Sequence, residues 1–172
     1  MHLRRPLALC AGALALSLGV LTSCGFDLAT DRPYTPGVGA NNRDADVDVL
    51  AAVIVAAQPN EATFIATLVN NTETDASLTG VSGGVDVAPF EPIEVASRDY
   101  VNLADGDGVL VTGDFDAGQV IELTLTMSTG EAVTLNVPVV RACEEYLGLD
   151  LTGKSTFIPY DCSAEPPAAG EH

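Results

Sequence analysis

The sequence predicts an all-β domain, a sandwich of two sheets built from about seven or eight short strands. Three observations predict it. Apolar residues alternate with polar ones over several stretches, as they do where a strand buries one face. Turn-forming residues interrupt those stretches every 8 to 12 residues or so. No helical periodicity of useful length accompanies them.

Ahead of that domain stands a segment of different character. Arg4 and Arg5 precede a largely apolar run, Leu7 to Leu21, which ends in the small residues Thr22 and Ser23. Its 15 residues fall short of the roughly 20 a helix needs to cross the hydrocarbon core, so a cleavable signal peptide over residues 1–23 is expected rather than a membrane-spanning helix. Leu21-Thr22-Ser23-Cys24 resembles the lipobox of bacterial lipoproteins. The resemblance implies that Cys24 carries a diacylglyceryl group and becomes the first residue of the mature chain. An ordinary signal cleavage near Cys24 would leave no lipid, but the charge, the apolar run and the four-residue match together favour the lipidated cysteine. Two or three acyl chains, each contributing about 0.8 kcal/mol per buried methylene, would hold the protein at the external face of the membrane.

Removing residues 1–23 leaves 149 of the 172 residues, enough for one domain with its own core. It also removes Arg4 and Arg5, so five Lys and Arg face 24 Asp and Glu, a formal balance of −19. Such a surface opposes nucleic acid and anionic lipid, because nothing basic is clustered to neutralise phosphate. Of the four cysteines, Cys10 leaves with the signal and Cys24 is assigned to lipid. Cys143 and Cys162 remain, and in an oxidising compartment a disulfide is the economical pairing.

Residues 24–44 hold Pro33, Pro36, Gly37, Gly39, Asn41 and Asn42 with little periodic apolar content, which predicts a flexible tether. The β-sandwich domain is placed at residues 45–140. Val47, Val49, Ala51, Val53 and Val55 share one parity and predict a first strand. Pro59 and Asn60 punctuate, Ala62 to Val69 gives a second strand, and Asn70 to Asp75 reads as a polar turn. The stretch from Leu78 to Thr112 is broken by Gly80, Gly83, Gly84, Pro89, Pro92, Gly106 and Gly108. It leaves short strand candidates around Val85, Ile93 to Ala96, Tyr100 to Leu103 and Val109 to Val111. The clearest alternation follows: Ile121, Leu123, Leu125 and Met127, a turn over Ser128 to Glu131, then Val133, Leu135, Val137 and Val139. That is a hairpin with one buried face. The whole predicts an immunoglobulin-like or cupredoxin-like β-sandwich. Residues 141–172 form a C-terminal tail, in which a Cys143–Cys162 bridge would close a loop.

Residues Phe64 to Thr72 (FIATLVNNT), followed by Asp75 to Ser82 (DASLTGVS), resemble the opening of the PCuAC-type periplasmic copper chaperones and their actinobacterial lipoprotein relatives of the LpqE kind. Phe115 to Met127 and Gly130 to Val139 resemble that family's closing hairpin. The likeness spans roughly residues 45 to 140 and implies a cupredoxin-like sandwich. The family's chemistry rests on surface His and Met residues that hold Cu(I), a soft ion suited to thioether and imidazole. This sequence departs from that pattern. Its mature part has one histidine, His172 at the last position, and one methionine, Met127, whose parity puts it on the buried face of the hairpin. No family ligand carries over.

Other candidate chemistry is weaker still. Gly80-Val81-Ser82-Gly83-Gly84 matches the pattern of hydrolase nucleophile elbows, but no helix follows and no internal histidine can act as base, so a flexible turn between strands is expected. Asp105, Asp107, Asp114 and Asp116 are hard oxygen donors of the kind calcium takes, yet Val109 breaks the EF-hand spacing, and Asp with Gly is also ordinary turn chemistry. Cys143 and Cys162 lack the Cys-x-x-Cys spacing of exchange enzymes, which favours a structural bridge over a redox or copper pair.

The expectation is therefore a lipid-anchored, extracytoplasmic lipoprotein without catalytic residues, cofactor or metal, a binding or interaction module for another component of the cell envelope. The alternative is a metal-handling protein that takes copper or calcium through atypical ligands. Mass spectrometry of the protein from its native membrane is expected to find an acylated Cys24 as the first residue; an unmodified chain that retains Met1 contradicts the anchor.

Overall fold

Ten strands build the domain, in a computed structural model that describes residues 39–106, 108–152 and 162. In chain order they are β1 (Ala40–Asn42), β2 (Val47–Gln58), β3 (Glu61–Asn70), β4 (Ala76–Gly83), β5 (Asp86–Val87), β6 (Ile93–Val95), β7 (Tyr100–Asn102), β8 (Val109–Thr112), β9 (Val120–Met127) and β10 (Ala132–Arg141). Single 3-10 turns cover Leu103–Asp105 and Glu144–Tyr146. The architecture is the all-β sandwich that the alternating pattern predicts, with short edge strands raising the count above seven or eight. The predicted signal peptide and Cys24 lie outside the described residues. Residues 40–42, placed in the tether by composition, instead pair with β2 as β1, opposite Ala52 and Val49.

One layer runs β5-β8-β3-β2, with β7 also along β3 and β1 along β2; the other runs β10-β9-β4-β6. They are joined through β10. From Ala132 to Pro138 that strand is antiparallel to β9, and from Val139 to Arg141 it runs parallel to Ile54–Ala56 of β2. Pro138 stands at the last rung with β9, opposite Val120. With no N–H to give, it suits the place where the strand changes partner.

The core lies between the layers. Ile54 pairs with Phe64, which pairs with Val109, and this row faces Leu78, Leu123, Leu125, Met127 and Val137 in one buried cluster. The β9–β10 hairpin follows the sequence pattern: Leu123, Leu125 and Met127 are buried, as are Val133, Leu135, Val137 and Val139, and the turn sits between Met127 and Ala132. Ile121 is only half-buried, near the start of its strand.

β2 departs from the single parity expected of it. Its pairing with β3 slips between Leu50 and Val53, and Ala51, exposed, takes φ +52°. Its N–H donates to Asn41 Oδ1 at 2.9 Å. This bulge turns the strand over, so that Val47 and Val49 face the core before it and Ile54 faces the core after it. Val53 and Val55 then point to the opposite face, with Ile65 and Thr63 beside them. All four are buried.

β4 is the strand that glycines concealed. Gly80 to Gly83, read from sequence as a flexible turn, pair with Thr126 to Leu123 of β9. Gly83 has φ +131°, and a Cβ there would lie 2.3 Å from the Glu122 carbonyl oxygen. The glycine therefore permits close backbone approach within the sheet rather than breaking it. Beyond β3, the buried Asn70 organises the polar turn: its Nδ2 donates to Thr74 O at 2.8 Å and Val95 O at 3.0 Å, and its Oδ1 accepts from Thr72 N at 3.0 Å.

These two glycines give a paired test. Gly83→Ala should lower unfolding stability by about 1–3 kcal/mol, from strain and the backbone collision. Gly80→Ala, whose added carbon meets nothing nearer than 3.6 Å, should change it by less than about 0.5 kcal/mol, both read by urea denaturation.

Candidate functional site

A polar cluster that draws the tail onto the sheet lies on the outer face of the β2–β3 pair. Thr63 is fully buried although its side chain points away from the core between the layers. Its cross-strand neighbours there are Val55 on β2 and Leu110 on β8. A polar side chain in that setting needs partners, and the C-terminal tail supplies them. Thr63 Oγ1 donates to Asp150 Oδ1 at 3.1 Å and accepts from the Leu151 N–H at 2.7 Å. The Asp150 carboxylate also accepts from Ala57 N at 2.6 Å, Thr152 N at 3.0 Å and Thr152 Oγ1 at 2.7 Å. Four donors thus converge on one carboxylate, and each charge-assisted bond is stronger than a neutral one.

The approach to this clamp is equally specific. Leaving β10, the tail gives the Ala142 N–H to Ala56 O at 2.9 Å and turns through Glu144, at φ +52°. Ala142, Tyr146 and Leu149 then pack against the buried cluster. Burial, with the Glu145 carboxylate beside it, pushes the Tyr146 hydroxyl above its ordinary value. It stays protonated through the physiological range. On the other side Gly108 closes over the same face: a Cβ there would lie 2.4 Å from Thr63 Cγ2.

Cys143 and Cys162 form the disulfide that the sequence predicts, with Cα atoms 5.7 Å apart and a sequence separation of 19. The bridge encloses the Asp150 clamp in its loop. Sequence reasoning did not find Asp150 or Thr63. The signal available was the unbroken apolar run from Ala51 to Ala57, since a strand buried on one face alternates and a strand buried on both does not.

Those of the remaining sequence candidates that are described form no common site. Met127 is 1% exposed within the core, out of reach of a surface ion. Asp105 ends a 3-10 turn and meets Asn102 Nδ2 at 3.4 Å; Asp107, the other carboxylate of that pair, lies outside the described residues, as do Cys24 and His172. Among the described residues no three His, Cys, Asp or Glu side chains are grouped as a metal ion would require. Ser82 lies in β4 with no histidine among the described residues to act as its base.

A PCuAC domain from PmoF1, in its apo form, superposes on 59% of this chain and 98% of its own length with a TM-score of 0.50 at 18% identity. A copper-bound PCuAC domain from PmoF2 gives 0.50 and 18% as well, over 59% of this chain and 97% of that one. The fold is that of a PCuAC domain. Nearly the whole of each neighbour is matched, by somewhat more than half of this chain. No protein-family profile matches the chain, and neither does any curated protein.

Thr63→Val keeps the side-chain volume but deletes the hydroxyl that bridges Asp150 and Leu151. It should cost about 1–3 kcal/mol, through the unpaired carboxylate and amide left behind. The same variant should speed hydrogen exchange at Leu151 while amides of β9 keep their protection.

Proposed function

We propose that this chain is a lipid-anchored extracytoplasmic protein whose sandwich is a non-enzymatic binding module of the cell envelope, built on a copper-chaperone-like scaffold. The observation that carries the reading is the pairing of that scaffold with a buried methionine. Met127, the one methionine of the mature chain, fills the core at the end of β9, where a thioether contributes packing rather than ligation. The lipobox-like Cys24 and the actinobacterial LpqE-type resemblance support the anchor. A cystine at Cys143–Cys162 supports an oxidising location, since such bonds persist outside the cytosol. No helix among the described residues is long and apolar enough to cross a membrane. The partner fitted by so acidic a surface is a protein or peptide with a basic contact face, and nucleic acid is the least compatible class.

The second reading, a metal-handling protein with atypical ligands, is favoured by one observation: a neighbour of the same fold is copper-bound. A titration separates them. Metal-free protein should bind Cu(I) no more tightly than about micromolar in competition with a chromophoric chelator, and Ca2+ should leave Tm unchanged. Stoichiometric Cu(I) binding well below micromolar, or a Ca2+-dependent rise in Tm lost in Asp105→Ala, would establish the metal reading instead.

A further inference from the structure

We propose that the C-terminal tail is a redox-latched strap: the Cys143–Cys162 bond keeps residues 142–152 seated, and its reduction uncovers a second apolar face. This goes beyond the anchoring and binding reading and does not depend on it.

The covered face is defined by register. Val53 pairs with Ile65 and Val55 with Thr63, so these side chains share the side of the sheet turned away from the other layer. They are buried nonetheless, Val55 and Thr63 completely. The strap covers this side with Asp150 and Leu151 over Thr63, and the amide of Ala57 ties Asp150 to the end of β2. A face of this composition without its cover would be an exposed hydrophobic surface of the kind that marks interaction sites.

The strap is held by three devices of unequal kind. Its apolar side chains and the Asp150 clamp are reversible contacts of a short segment, which opens locally far more readily than a strand in the core. Its first turn is strained, with Glu144 in the left-handed region. The covalent bond closes the chain that carries the clamp into a loop, which restricts the conformations open to it once released. That bond is reachable, because Cys162 is exposed while Thr63 and Val55 are not.

The reaction is thiol–disulfide exchange with an external dithiol. One thiolate attacks Sγ of Cys162, the S–S bond breaks, and Cys143 departs as a thiolate that takes up a proton. The second thiol of the reductant then displaces Cys162 and becomes half of the reductant's own disulfide. The cystine has gained two electrons and two protons, and the dithiol has lost them.

Hydrogen exchange on the full chain, with and without dithiothreitol, tests the latch. The amides of Ala57, Leu151 and Thr152 report the clamp directly, and those of Leu123 and Leu125 in β9 report the core. Reduction should accelerate the first group at least tenfold more than the second, and raise the fluorescence of an apolar-surface dye. The double variant Cys143→Ser, Cys162→Ser should reproduce both changes without reductant. A smaller difference overturns the latch, because the clamp then holds unaided. Equal acceleration in β9 also overturns it, since the bond would then staple the whole fold. Acceleration without dye binding overturns it too, because the face beneath would have stayed covered.

Discussion

Keeping water from both faces of the β2–β3 pair is the constraint on which the rest of the structure depends. One face is met by the second layer through Ile54, Phe64 and Leu68. The other carries Val53, Val55 and Ile65, side chains whose burial is favourable by roughly 1.5–3 kcal/mol each. A sandwich of two layers has nothing to set against that outer side, so the tail beyond β10 must return across it. The bulge at Ala51 is where the problem arises, because it turns the outward-facing residues of β2 from Asp48 and Leu50 to Val53 and Val55. The Asp150 clamp is where it is resolved.

Much of this was legible in the sequence, and the exceptions have physical causes. The β9–β10 hairpin buries one face only, so its alternation from Leu123 to Val139 declares its register, its turn and the burial of Met127. β2 is buried on two faces after the bulge, and the alternation that seemed to run through Ala51 is an accident of consecutive apolar residues. β4 was hidden because Gly80 and Gly83 resemble turn residues unless the neighbouring Glu122 carbonyl is known to lie against them. The Cys143–Cys162 pairing was legible because the other two cysteines had separate assignments. The Asp150–Thr63 contact was not, since it joins positions 87 residues apart and neither residue type is unusual.

A shared scaffold does not carry a shared chemistry with it. The fold is matched over nearly the full length of PCuAC domains, one of which is copper-bound. Such a match is carried by core and turn residues, and these specify a sandwich without specifying what its surface does. Among the described residues, the four donors on the Asp150 carboxylate are turned inward, where they hold the chain's own tail.

One strand lends its hydrogen bonds to both layers. Because β10 is paired with β9 along most of its length and with β2 at its end, neither layer can peel away while the other remains intact. Cooperativity is thereby built into the connectivity: loss of order in either sheet strips partners from the other. The domain should melt in a single transition, with no stable half-folded species from which aggregation could start.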